Sequence, residues 1–167
     1  MSNARDLSNN RLLTQKTATA TTSGNSVSYT GIPSWVKRIT IQFQGVSLST
    51  TGIVRVRCGT ASGLDTSNYS ATTAMIGVSG YSLTNGMPLN FNSNTLLFTG
   101  TMILENISGN TWVSSHTLGA VGNWITLGGG YVNLTGTLDR LEIAATDTTG
   151  ATGAVAFDAG SVNIFYE

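Results

Sequence analysis

The only histidine, His116, follows Ser114 and Ser115, and with a distant aspartate these residue types could supply a nucleophile, a base and an orienting acid. The Gly-x-Ser-x-Gly elbow that presents such a serine is absent, so His116 reads as an ordinary polar strand residue. Asp139 and Glu142 are close in sequence, but residues three apart on a strand point to opposite faces and do not flank one scissile bond. Asp65, Asp147 and Asp158 lie in Gly-, Ser- and Thr-rich stretches without the alternating acidic spacing of a calcium loop. No catalytic residue, metal site or cofactor is therefore expected.

Trp35, Trp112 and Trp124, with Tyr81 and Tyr131, could stack on sugar rings if exposed. Aromatic side chains bury large areas, so core packing or subunit contact is the favoured role. Tyr81, Trp112, Trp124 and Tyr131 are kept as candidate glycan or subunit contacts. Cys58 is the only cysteine, which rules out an intrachain disulfide or a thiolate zinc cluster from this chain alone. It alternates with Val54 and Val56 and reads as a buried, inert thiol. Three Asn-x-Ser/Thr triplets, at Asn68, Asn106 and Asn133, are what chance gives in so Asn- and Thr-rich a chain.

These residues sit in a chain of 167, the length of one compact domain. Only 10% of it is charged, with eight basic and eight acidic residues. The densest basic features are Lys37/Arg38 and Arg55/Arg57, too sparse to displace counterions from nucleic acid. No segment reaches the roughly 18 apolar residues of a membrane span, and MSNARDLSNNRLL lacks the apolar middle of a signal peptide. Synthesis in a cytoplasm without the usual export route is expected. A net charge of zero leaves nothing to repel one copy from the next, which favours self-association.

Residues 1–16 are polar, hold Arg5, Arg11 and Lys16, and read as an N-terminal arm; 17–167 read as one β-sandwich domain. From Thr17 onward, short β-rich runs are broken by Gly, Ser, Asn and Thr every 8 to 12 residues or so, as in a sandwich or barrel. Ile39, Ile41 and Phe43 alternate with Arg38, Thr40, Gln42 and Gln44. Val54, Val56 and Cys58 alternate with Arg55 and Arg57, and Leu141 and Ile143 with Arg140 and Glu142; the charged faces are expected to point outward. Residues 95–107 are apolar on both faces and read as a central strand, with Gly100 at a bulge. Asn85-Gly86 predicts a two-residue hairpin turn whose second strand Pro88 confines to an edge. Ser108-Gly109-Asn110 predicts a second hairpin, and Gly128-Gly129-Gly130 reads as loop or bulge. Val162, Ile164 and Tyr166 share one face of a last strand after Gly160. About eight to ten strands result, and the fold expected is an antiparallel, jelly-roll-like β-sandwich.

The stretch GIPSWVKRITIQFQGVS (31–47) and the closing AFDAGSVNIFYE (156–167) resemble a module of phage and prophage structural proteins. The opening MSNARDLSNN is similar to the short N-terminal sections of phage fibre and head-fibre proteins. Pro33 and Trp35 can fix and cover the start of the strand that follows them. The resemblance implies a non-enzymatic virion-surface protein of a tailed phage, often a homotrimer, made in the host bacterial cytoplasm. With one domain and no long shaft, capsid decoration is the role expected. Its partners would be other copies of itself and the major capsid protein or another virion protein, engaged by Arg5, Leu7, Arg11, Leu12 and Leu13 of the arm. The alternative is a tail-fibre or receptor-binding module for host-surface glycan. A small hydrolase acting on cell-wall or capsule polysaccharide is a third reading, weakened by the lack of a positioned acid, base or metal set.

Overall fold

Alternating apolar residues need a second layer to cover them, and the chain supplies both layers itself. The computed structural model describes residues 13–91 and 93–167. Arg5, Leu7, Arg11 and Leu12 lie outside the described residues. Among these residues the structure is all-β, with no helix and hence none long and apolar enough to cross a membrane.

The strands run in the order β1 (Thr14–Gln15), β2 (Thr19–Ala20), β3 (Ser26–Tyr29), β4 (Arg38–Leu48), β5 (Gly52–Thr60), β6 (Gly63–Leu64) and β7 (Tyr69–Met75). They continue with β8 (Val78–Leu83), β9 (Met87–Phe91), β10 (Phe98–Ser108), β11 (Thr111–Ala120), β12 (Trp124–Asn133), β13 (Arg140–Thr146) and β14 (Phe157–Tyr166). That is more strands than the pattern predicts, and three of the additional ones, β1, β2 and β6, have two residues each, too short for alternation to show.

Two antiparallel sheets pack face to face. The larger has the order β1-β14-β4-β10-β11-β12-β7-β8, with β2 also on β14. The smaller has β3-β13-β5-β6, with β9 also on β5. If β3, β4, β5, β7, β8, β9, β10 and β13 are counted one to eight, the small sheet reads 1-8-3-6 and the large sheet 2-7 then 4-5. This is the jelly-roll order. The β11–β12 hairpin is inserted between strands seven and four, and β14 is added outside strand two.

Ile39, Ile41 and Phe43 of β4 and Val162, Ile164 and Tyr166 of β14 face Val54, Val56, Leu141 and Ile143 of the small sheet, all buried. Phe91 joins the layers, with its ring centroid 6.4 Å from that of Phe43 and 4.5 Å from that of Phe98. Two tyrosines tie the sheets together. Tyr29 donates to the Val162 carbonyl (2.9 Å), and Tyr69 accepts from the Cys58 amide (2.9 Å) while donating toward the Cys58 carbonyl (3.0 Å). Cys58 is fully buried, and loss of hydration pushes its thiol up to about 12.

Three local expectations are corrected. Asn85-Gly86 is not a hairpin turn: β8 belongs to the large sheet and β9 to the small one, so this turn crosses between layers, and neither residue has a positive φ. Pro88 does lie on an edge, since β9 pairs only with β5. Gly128-Gly129-Gly130 is not a loop. It forms the middle of β12, paired with β11 on one side and β7 on the other. Glycine is needed there because a Cβ on Gly128 would meet the Thr72 carbonyl oxygen at 2.3 Å, and one on Gly130 would meet the Ala71 Cβ at 2.3 Å. Arg55, finally, does not face solvent: it is 2% exposed, under the turns at 84–86 and 147–153.

Candidate functional site

A β-bulge places an extra residue on one strand and bends it, and such bulges cluster where a sheet builds a binding surface. On β4, Gln44 and Gly45 together oppose the single Thr99 of β10, and Gly45 and Val46 together oppose Gly160 of β14. Gly45 takes φ +59° and Gly160 φ +88°, a left-handed backbone that glycine adopts without a Cβ penalty. Gly100 of β10 packs so tightly on β11 that a Cβ would meet the Thr117 carbonyl oxygen at 2.4 Å. These glycines on three adjacent strands interrupt the outer face of the large sheet in one place.

The interruption is a groove of about 430 Å³. Gln42 and Gln44 of β4, Asn163 of β14 and Gln15 of β1 bring four primary amides to it. Thr99 and Thr101 of β10 and Ser161 of β14 add three hydroxyls; Phe43 and Val162 also border the groove, but their side chains are buried in the core. Among the described residues no ionisable side chain lines it. Arg38, at the other end of β4, meets Glu105 (3.5 Å) and Glu167 (3.6 Å).

Several of these polar groups are held by their neighbours. The Ile164 amide donates to Asn163 Oδ1 (2.8 Å), and Ser161 Oγ donates to Gln44 Oε1 (3.3 Å). The Gly45 amide donates to Thr99 Oγ1 (3.0 Å), which ties the bulge to β10. Acceptors are thereby occupied, and the Asn163 and Gln44 NH2 groups and the Thr99 hydroxyl hydrogen remain as donors. Such a set can hold an uncharged oxygen-rich ligand; it has no group that exchanges a proton near neutrality.

The residues that could have done chemistry are placed apart. His116 is buried against β7 and β12, with Nε2 3.0 Å from Thr73 Oγ1, and desolvation lowers its pKa to about 4. Ser114 donates weakly to the Gly130 carbonyl (3.4 Å), and no carboxylate reaches the imidazole among the described contacts. Asp139 pairs with Arg140 (3.0 Å), whereas Glu142 faces Arg55 and Arg57 (3.5 and 3.9 Å). Asp65 accepts from the Thr135 amide and hydroxyl, Asp158 from Ser47, and Asp147 closes its own turn by accepting from Thr149 and Ala151. Those local hydrogen bonds hold Asp147 below its ordinary value.

The four aromatic candidates are not gathered into one site. Trp112 is in the core at 3% exposure, which removes it as a surface contact. Trp124 is half-buried beside Met75, Val78 and Leu96 at one end of the sandwich. Tyr81 is on the edge strand β8, and Tyr131 is exposed on the outer face of β12. Leu13 is exposed, and the residues after it, the end of the stretch read as an arm, join the sheet: Thr14–Gln15 pairs with Phe165–Tyr166, and the Lys16 amide donates to the Ile164 carbonyl (2.9 Å).

The two segments that carry the resemblance, 31–47 and 156–167, meet as β4 and β14, and each supplies part of the groove. Compared with family models, with curated proteins and with solved structures, the chain matches none.

Proposed function

We propose that the protein is a non-enzymatic structural component of a phage virion surface, most directly a capsid decoration protein that assembles with copies of itself and with a shell protein. The observation that carries this reading is the outer face of the large sheet. It is wide and almost uncharged, and on β12 it presents Ile125, Leu127 and Tyr131 to solvent. A face of this kind gains by being covered with a partner of matching shape, at roughly 25 cal/mol per Å² of apolar surface removed from water. Charge repulsion between copies does not oppose it, because the net charge is zero.

Two further observations support an adhesive role. The ionisable groups that could be drawn as catalytic are spent on local hydrogen bonds and ion pairs. The first strand continues on the edge of β14 toward the N-terminal residues, which on this reading reach the shell. Removal of residues 1–12 keeps β1 intact and tests the anchoring role. Particles carrying residues 13–167 should lose the protein from the shell in cryo-electron microscopy, and full occupancy would end the assignment. Mass photometry of the isolated chain should give a trimer; a monomer at micromolar concentration would remove the homotrimer.

A further inference from the structure

At one end of the large sheet, neighbouring loop tips carry aliphatic side chains into solvent. Ile76 heads the β7–β8 turn at 58% exposure, and Val121 heads the β11–β12 turn at 91%. Leu97, also exposed, precedes β10, and the pairing of Thr99 with Gly119 brings that segment to the β11–β12 turn. Ile125 joins them, since its carbonyl accepts from the Ile76 amide (3.0 Å). Beside the tips lies a cleft of about 220 Å³ lined by Met75, Val78, Leu96 and the half-buried Trp124, with Ser93 and Thr95. Single exposed apolar residues are ordinary on a protein surface, but a contiguous group marks a contact.

Charge and shape select what the tips contact. None of residues 75–78, 93–97 and 119–126 is charged, so the end of the sheet steers neither nucleic acid nor a charged protein surface toward itself. A stable protein interface buries roughly 800 Å² on each side through about 20–30 residues, with hydrogen bonds around it. Four aliphatic side chains on separate turns and strand ends fall short of that, and the Ser93 and Thr95 hydroxyls bond each other (3.1 Å). A fluid layer of acyl chains makes no such demand. It closes around separate convex tips, and it accepts an indole at its polar boundary, where tryptophan is enriched. Shallow insertion requires tip backbone groups to be hydrogen-bonded, and the Ile76 amide is.

We infer that this end of the sandwich is a contact site for a zwitterionic phospholipid bilayer, into which Ile76, Leu97 and Val121 insert while Trp124 rests at headgroup level. The contact is peripheral: side chains of the tips enter the lipid and the strands stay outside it. With no basic residue at the tips, it depends neither on anionic lipid nor on salt.

Trp124 reports on the contact by itself, because Trp112 is in the core and Trp35 lies against Tyr166 at the opposite end of the strands. The full chain is mixed with phosphatidylcholine vesicles whose acyl chains carry bromine, a short-range quencher. Tryptophan emission should fall relative to vesicles without bromine, equally at low and high salt, and Trp124→Phe should abolish the difference. Val121→Asp and Ile76→Asp, both at exposed positions, should each weaken partitioning about tenfold, since a carboxylate resists leaving water. Absence of quenching at saturating lipid, binding confined to anionic vesicles and lost in salt, or undiminished binding by both aspartate variants would each overturn the site. A dimer that Val121→Asp dissociates would also overturn it, because a second copy would then be the occupant. These readouts use the isolated chain and none concerns particle occupancy, so this inference and the virion reading fail separately.

Discussion

Gly160 lies against the backbone of the neighbouring strand so closely that a Cβ on it would sit 2.4 Å from the Gly45 carbonyl oxygen and 2.5 Å from that of Gln44. The two bulged strands can run side by side only because one of them has no side chain at this point. Gly160→Ala adds both this clash and the cost of φ +88° on an L-residue. Urea denaturation should show a loss of about 2–3 kcal/mol, and an unchanged midpoint would mean that the bulge is not tightly packed.

The glycines of β12 make a second steric prediction. Gly128→Ala should cost about 1–3 kcal/mol, because its Cβ would meet the Thr72 carbonyl oxygen at 2.3 Å and the His116 ring at 2.6 Å. Gly136→Ala is the control. Its Cβ would touch only the Thr60 side chain, at 3.4 Å, and thermal unfolding should be nearly unaffected. Equal effects at the two positions would contradict the packing described for β12.

Arg55 is buried with Glu142 at 3.5 Å and donates to the Gly150 carbonyl, while Arg57 donates to the Asn85 carbonyl at 2.8 Å. Burial lowers the guanidinium pKa, Arg57 adds repulsion, and Glu142 opposes both. Glu142→Gln leaves that charge without its counterion and should destabilise by about 3 kcal/mol. Hydrogen exchange should rise at 84–86 and 147–153, the turns that the two arginines fasten. Exchange confined to the far end of the sandwich would refute the link.

His116 gives the fold an acid sensitivity. Its pKa falls from 6.5 to about 4 on burial, so below pH 6.5 the unfolded chain takes up a proton that the native one does not. This contribution to stability is complete above pH 6.5, shrinks as the pH falls, and has been lost by about pH 4. The loss is about 3 kcal/mol over the window. His116→Gln should flatten the stability curve between pH 5 and 6.5, and an unchanged slope would show that the imidazole is not the titrating group.

Alternation along the chain made much of this architecture legible. Ile39, Ile41 and Phe43, like Val162, Ile164 and Tyr166, lie inside as their period of two requires. Gly109-Asn110 turns the β10–β11 hairpin, and β10 is central with Gly100 beside a register shift. For Arg55, alternation tells which face the side chain takes but not that a later turn covers that face. Asn85-Gly86 carries a turn signal that is silent about which sheet receives the next strand. Glycine at 128–130 has the composition of a loop, and only the pairing with β7 and β11 reveals why no side chain fits.

The groove lay further from view. Gln42 and Gln44 show as the polar face of β4, and Gly160 as the residue before the last alternating run, but their convergence with Thr99 and Thr101 follows from β10 and β14 flanking β4. That order is a property of the whole topology, and no local pattern encodes it. Trp112, Trp124, Tyr81 and Tyr131 stood out by residue type, yet the topology scatters them.

On the proposed reading this sandwich is a surface component of a particle and works by adhesion. Immunogold labelling of purified phage particles, with antibody raised against residues 13–167, tests that most directly. Gold should decorate the heads in many copies. Unlabelled particles, with all of the protein recovered free in the lysate, would contradict the account.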